Sequence, residues 1–132
     1  MFNFFATHSF HDVRIENITT FDKGVVLSCK QGLYLLHNTT QKSSPCDIHI
    51  CINDFDVESA FHHIEVKLQR KRKIKEISFN TFLNMVNKYG FKVYLDYFCV
   101  SSSGIKLEGL IKKCDISFII SDITNIDIIY QN

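Results

Sequence analysis

A histidine-rich turn near the start of the chain is the first place where residue types could support chemistry. His8 and His11 are three positions apart and Asp12 follows directly; on a helix, two histidines at this spacing could bind one metal ion. A zinc site needs three or four ligands, and no further cysteine or histidine lies nearby in the sequence. The stretch leads into a predicted strand, so we interpret it as a turn in which the Asp12 carboxylate accepts hydrogen bonds from backbone N–H groups.

Other histidines and cysteines fall at spacings that separate them. His62 and His63 are adjacent in a predicted strand, where neighbouring side chains point to opposite faces, so we expect one buried neutral ring and one exposed ring. Cys46 and Cys51 are separated by an odd number of positions, which argues against a shared metal ion. The five cysteines include no C-x-x-C pair, and residues 1–5 are too few for the core of a secretory signal. We predict reduced thiols, without disulfides, in a cytoplasmic protein.

Motifs that activate a nucleophile or hold a phosphate are missing from the sequence. Neither G-x-S-x-G nor the glycine-rich patterns G-x-x-x-x-G-K-[ST] and G-x-G-x-x-G occur, and the five glycines are spread along the chain. We therefore predict no enzymatic activity, no catalytic residues, no cofactor and no bound metal.

Charged residues are concentrated in two stretches that could bind a macromolecule. The basic stretch 67–75 could contact a phosphate backbone, although such runs are more often solvated turns or protected sheet edges, and no aromatic residue is interleaved to stack on bases. Carboxylates around an exposed ring suit a basic protein partner, although a solvated loop would have the same composition. We place a protein-binding surface on the acidic connection and the strand that follows it, at Asp54, Phe55, Asp56, Glu58, His63 and Glu65.

Length and composition fit a single domain over residues 1–132. The chain is 45% hydrophobic and 22% charged, and its 132 residues can bury a core without disulfides or metals. The formal net charge of +1 means that the field of the whole molecule favours neither nucleic acid nor an acidic partner. No run approaches the roughly 20 apolar residues of a membrane span, so we predict no membrane association.

The hydrophobic pattern predicts one principal helix over residues 78–89, followed by a three-strand meander. Phe79, Phe82, Leu83 and Val86 recur with helical spacing, while Ser78 can cap the start and Gly90 the end. From Phe91 onward, apolar and polar residues alternate with the period of a strand. We expect the helix to pack on this sheet through core residues Phe82, Leu83, Val86, Val93, Leu95, Ile116 and Phe118.

Alternation also predicts strands before the helix. We expect them at about 13–21, 25–37, 47–53 and 61–69, with a hairpin turn at 22–24, a loop over 38–45 and a last strand after Ser121. The predicted fold is α+β: a twisted antiparallel β-sheet or half-open barrel of about seven strands with one principal helix (about 78–89).

The residues Phe10-His11-Asp12, with the strand that follows through Ile18, resemble the opening of several small immunity proteins of bacterial polymorphic-toxin and contact-dependent growth inhibition systems. Those proteins begin with F-H-D, an alternating strand, a D-x-G-type turn and a second apolar strand. Asp22-Lys23-Gly24 and Val25-Val26-Leu27 fit that layout here. The segment from Lys106 to Ile123 is similar to the strand-rich tail of such proteins.

The resemblance implies a cytoplasmic antidote without an active site, which binds and occludes the toxin domain of a bacterial effector. Antidotes to nucleases are often strongly acidic, so a net charge of +1 implies a mixed or apolar docking surface, or a toxin that is not a nuclease. The rival hypothesis is a small nucleic-acid-binding module that uses the stretch 67–75. The toxin and the oligomeric state are left open by the sequence.

Overall fold

A computed structural model describes residues 4–35, 38–53, 56–68, 73–99 and 103–131. In chain order, the helices and strands of these residues are α1 (Phe4–Thr7), β1 (His8–Ser9), β2 (Arg14–Ile15), β3 (Asn17–Phe21), β4 (Gly24–Cys29), β5 (Tyr34–Leu35), β6 (Asn38–Lys42), β7 (Cys46–Ile52), α2 (Val57–Ala60), β8 (Phe61–Leu68), β9 (Ile74–Glu76), α3 (Phe79–Tyr89), β10 (Phe91–Cys99), β11 (Gly104–Ile111), β12 (Cys114–Ile120) and β13 (Ile123–Tyr130).

Antiparallel pairing organises these strands into three sheets. The largest has six strands in the order β2-β10-β11-β12-β8-β9, the second has four in the order β13-β7-β4-β3, and the smallest joins β1, β5 and β6. The prediction of a mainly antiparallel α+β fold is confirmed, as are the meander β10-β11-β12 and the principal helix α3. In the described part of the chain, however, the strands are divided among three sheets that do not close into a barrel.

The predicted strand count was too low because long predicted segments are broken and because strands also form where none was predicted. The segment predicted over 25–37 ends at Cys29, where the Gly32 N–H donates to the Cys29 carbonyl at 3.0 Å and Gly32 adopts a φ of 77°. The loop predicted over 38–45 instead contains β6, which pairs with β5. A short strand, β9, also forms where only a connection to the helix was predicted.

Helix α3 begins and ends where the sequence predicts. The Ser78 hydroxyl accepts a hydrogen bond from the Thr81 N–H at 3.1 Å, which satisfies one of the free donors of the first turn. At the other end, Gly90 has a φ of 77° and its N–H donates to the Val86 carbonyl at 2.7 Å. Between these caps, the apolar face of the helix is buried, as its spacing indicates.

Phenylalanine rings from the helix and the six-stranded sheet form the centre of the core. The centroid of the Phe118 ring lies 4.7 Å from that of Phe82, 5.6 Å from that of Phe61 and 5.7 Å from that of Phe91. Of the predicted core residues, Phe82, Val86, Val93, Ile116 and Phe118 are buried, while Leu83 is partly buried against the core.

Leu95 was wrongly predicted as a core residue because β10 contains a bulge. Val93 lies opposite Gly109 and Leu95 opposite the adjacent Glu108, so Tyr94 is an extra residue in the ladder. After the bulge, the alternation of side chains between the two faces of the sheet is shifted by one position. Leu95 therefore lies on the solvent side of the sheet, 41% exposed, and Tyr94 beside it is 40% exposed.

Candidate functional site

Of the residues predicted as a turn, His8 and Ser9 form β1, whereas the chain turns at His11 and Asp12, and the hydrogen-bond acceptor differs from the prediction. The Phe10 N–H donates to the Asp96 carboxylate at 3.0 Å, and the Ser9 hydroxyl donates to both oxygens of that carboxylate at 3.2 Å. Asp12 has a φ of 60°, and its carboxylate lies 3.0 Å from the ring of the preceding histidine. In the described residues, no group of three or more His, Cys, Asp or Glu side chains could hold a metal ion.

The adjacent histidines of β8 do not divide into one buried and one exposed ring, as was predicted. Both His62 and His63 are exposed. His63 has a φ of 52°, and the pairing of β8 with β12 shifts register there, so this is a second bulge. His62 contacts the Ser121 hydroxyl at 2.7 Å through Nε2.

Two cysteines lie directly opposite each other in the four-stranded sheet. Cys29 of β4 pairs with Cys46 of β7, and both side chains are fully buried free thiols. Burial raises the pKa of Cys29 far above that of an ordinary thiol, and burial also raises the pKa of Cys46. These thiols therefore stay protonated and are poor nucleophiles near neutral pH.

The predicted acidic surface is only partly described by the structure. Asp54 and Phe55 lie outside the described residues. The Asp56 carboxylate caps helix α2 by accepting from the Glu58 N–H at 3.4 Å, and both residues line a cleft with Asp22 of the β3–β4 turn. Glu65 lines a different depression, so the predicted set is not brought together at one place in the described part of the chain.

That second depression, which we call the outer groove, runs over the solvent-facing side of the six-stranded sheet. Strand register places one row of side chains straight across five strands: Leu95, Glu108, Ser117, Glu65 and Glu76. The next row ends at Ile74 of β9, which is 58% exposed. We define the outer groove by Glu65, Ile74, Tyr94, Leu95, Glu108 and Asp115.

The outer groove combines large apolar side chains with carboxylates. Tyr94 and Leu95 flank it on the β10 side, and Ile74 flanks it on the β9 side. Three carboxylates and one ammonium group, that of Lys67, line the space between them. The Glu108 carboxylate also lies 3.3 Å from the Lys106 ammonium group on the same strand.

The sequence patterns did not identify most residues of the outer groove as surface or site residues. Strict alternation assigns Leu95 to the core, and only Glu65 belonged to the predicted protein-binding surface. One signal was available: Gly109 takes the place of an apolar residue in the alternating strand β11, and a glycine inside a strand often marks a bulge or a close backbone approach. Gly109 does lie opposite the bulge of β10.

Several lysines lie at one end of the six-stranded sheet, where β8 ends and a turn connects β11 to β12. The turn carries Lys112 and Lys113, and Lys67 lies near the end of β8. The ammonium groups of Lys112 and Lys88 lie 3.9 and 5.1 Å from the centre of the Tyr89 ring. Hydrogen bonds with Lys88 and Lys112 lower the pKa of Tyr89. Residues 69–72 of the predicted basic stretch lie outside the described residues.

Comparison with models of protein families, with curated proteins and with solved structures gave no match to this chain. Among the described residues, no helix has both the length and the apolar character required to cross a membrane.

Proposed function

We propose that this protein is a cytoplasmic antidote: a non-catalytic protein that binds the toxin domain of a bacterial effector and occludes its working surface. The sequence supports this proposal through the resemblance carried by residues 10–27. The structural observation that favours a protein partner is the outer groove, because a sheet surface with exposed aromatic and aliphatic side chains beside charged ones suits protein docking.

The chemistry of the outer groove indicates what kind of toxin surface would fit. Exposed Tyr94 and Leu95 can be covered by an apolar patch of the partner, which provides most of the affinity. The three carboxylates outnumber the single lysine of the lining, so a cationic rim on the toxin would be steered toward the groove. A mixed surface of this kind also agrees with the near-neutral net charge of the chain.

Truncating the apolar side of the outer groove should abolish protection. We expect the Tyr94→Ala, Leu95→Ala double variant to bind the toxin domain at least roughly 30-fold more weakly, since losing a central anchor costs about 2 kcal/mol or more. Growth rescue on co-expression and a dissociation constant from calorimetry measure this effect, with the toxin domain sought first in the neighbouring reading frame.

Leu68→Ala is the matched control for that experiment. Leu68 is 43% exposed, close to the 41% of Leu95, and lies in the same sheet but outside the outer groove. This variant should protect and bind as the parent does. If the folded double variant also protects fully, the interface lies elsewhere, and the cleft lined by Asp56 and Glu58 becomes the next surface to test, together with Asp54 and Phe55.

A nucleic-acid-binding module is the second candidate, and the lysine-rich end of the six-stranded sheet is the observation that favours it. Lys112 and Lys88 flank the Tyr89 ring, so an aromatic side chain does accompany the basic groups at this end. Phosphate contacts make affinity fall steeply with salt, by nearly one logarithmic unit per contact for each tenfold rise in salt.

We expect no such binding at physiological salt. Fluorescence anisotropy with labelled single- and double-stranded oligonucleotides, repeated over a salt series, checks this prediction. Strong binding with a steep salt slope, lost in the Lys112→Glu, Lys113→Glu variant but kept in the Tyr94→Ala, Leu95→Ala variant, would replace the antidote proposal with the nucleic-acid one.

A further inference from the structure

The two edges of the four-stranded sheet differ: a side chain of helix α3 hydrogen-bonds to one edge, whereas the other edge pairs with no further strand in the described part of the chain. At the β3 edge, the Ile18 N–H donates to the Asn87 side-chain oxygen at 2.8 Å, and the Asn87 amide nitrogen donates to the Ile18 carbonyl at 3.2 Å. The Asn87 amide from α3 thus occupies the hydrogen-bonding position of a neighbouring strand. Covering an edge in this way prevents another chain from pairing there.

The opposite edge is β13, an eight-residue strand that pairs only with β7 in the described part of the chain. Two hydrogen bonds fix which backbone groups of β13 face β7. Directly after β13, the Gln131 N–H donates to the Pro45 carbonyl at 2.9 Å. On β7, the Ile52 N–H points away from β13 and donates to the Lys23 carbonyl at 2.7 Å. Because hydrogen-bonded positions alternate along an antiparallel pair, Asp127 and Ile129 bond to β7. The N–H and C=O groups of Ile126 and Ile128 therefore face away from the sheet.

We propose that β13 pairs antiparallel with β13 of a second copy of this chain, which joins two four-stranded sheets into one. An antiparallel edge is self-complementary about a twofold axis, and this isologous arrangement is the commonest one in homodimers. The smallest sheet and α1 flank β13 near Tyr130, whose hydroxyl lies 3.5 Å from the His8 ring. The part of the edge away from these contacts is centred near Ile126, whose side chain belongs to the core.

Charge selects the register of this pairing. Asp127 is the only charged residue of β13. With the twofold axis at Ile126, each Asp127 carboxylate lies opposite Asn125 of the second copy, whose side-chain amide is a hydrogen-bond donor. With the axis one residue further along, the two Asp127 carboxylates would face each other, which is unfavourable for like charges. Asn125 already donates to Asp127 within one chain at 2.8 Å, so the two side chains lie on the same face.

The test changes the charge at position 125 in two directions. Sedimentation velocity over a wide concentration range should show a monomer–dimer equilibrium for the parent chain. Asn125→Asp sets carboxylate against carboxylate twice across the axis, and it should raise the dimer dissociation constant roughly tenfold at low salt. Asn125→Lys, which loses the same native hydrogen bond, should dimerise as tightly as the parent or more tightly.

Hydrogen exchange followed by NMR gives an independent readout of the same contact. The amides of Ile126 and Ile128 should become protected as the concentration of the protein rises, while those of Asp127 and Ile129 should be protected throughout. A parent chain that stays monomeric at all concentrations would overturn the proposal. Equal dimer constants for Asn125→Asp and Asn125→Lys would overturn it too. The outer groove lies on another sheet, so toxin binding and dimerisation can fail separately.

Discussion

Replacing Phe82 with alanine should lower the free energy of unfolding by about 3–5 kcal/mol, the range observed when a buried phenylalanine ring is removed. Phe82 is fully buried, and its ring centroid lies 4.7 Å from that of Phe118 and 6.3 Å from that of Phe91. The cavity cannot close easily by movement of α3, because Asn87 of the same helix is bonded twice to the backbone of Ile18.

Urea unfolding followed by circular dichroism measures this loss as a lower midpoint with an unchanged slope. Asn84→Ala is the matched control, because Asn84 is an exposed residue of the same helix and should change stability by no more than about 0.5 kcal/mol. A Phe82→Ala variant as stable as its control would contradict the packing of α3 against the six-stranded sheet.

The second large effect is expected at Gly109, where β10 and β11 approach each other too closely for a side chain. A Cβ atom added at Gly109 would lie 2.0 Å from the Lys92 carbonyl oxygen and 2.8 Å from the Phe91 ring. The nearer atom belongs to the backbone and cannot rotate away. We expect Gly109→Ala to cost about 3 kcal/mol, the upper end of the usual range for overpacking.

The same substitution should also disturb the outer groove, because Gly109 lies opposite the β10 bulge that turns Leu95 to solvent. Urea unfolding measures the stability, and amide chemical shifts of β10 report the change in the bulge. Lys106→Ala provides the comparison on the same strand: it removes an exposed ion pair with Glu108, which is worth about 1 kcal/mol at most. Equal stability of the two variants would contradict the close approach.

Local sequence patterns were sufficient to predict those helices and strands whose determining residues lie close together in the chain. Helix α3 needs only the spacing of its apolar residues, the Ser78 hydroxyl and the freedom of Gly90 to adopt a positive φ, and all three can be recognised in the sequence. The meander also follows from alternation, because a period of two fixes which side chains share a face until a bulge intervenes. Burial of Phe82, Val93 and Phe118 follows from these two patterns.

The sequence by itself therefore determined the principal helix, the antiparallel meander and most of the core, whereas the tertiary structure decided which residues form the exposed surface. The bulges at Tyr94 and His63 are defined by the pairing of β10 with β11 and of β8 with β12. Strands β10 and β8 by themselves give no sign of them, and Gly109 of β11 is the one local signal. The outer groove joins residues from β8 to β12, brought side by side only by strand register. Register depends on contacts between residues far apart in the chain, and local periodicity carries no information about those contacts.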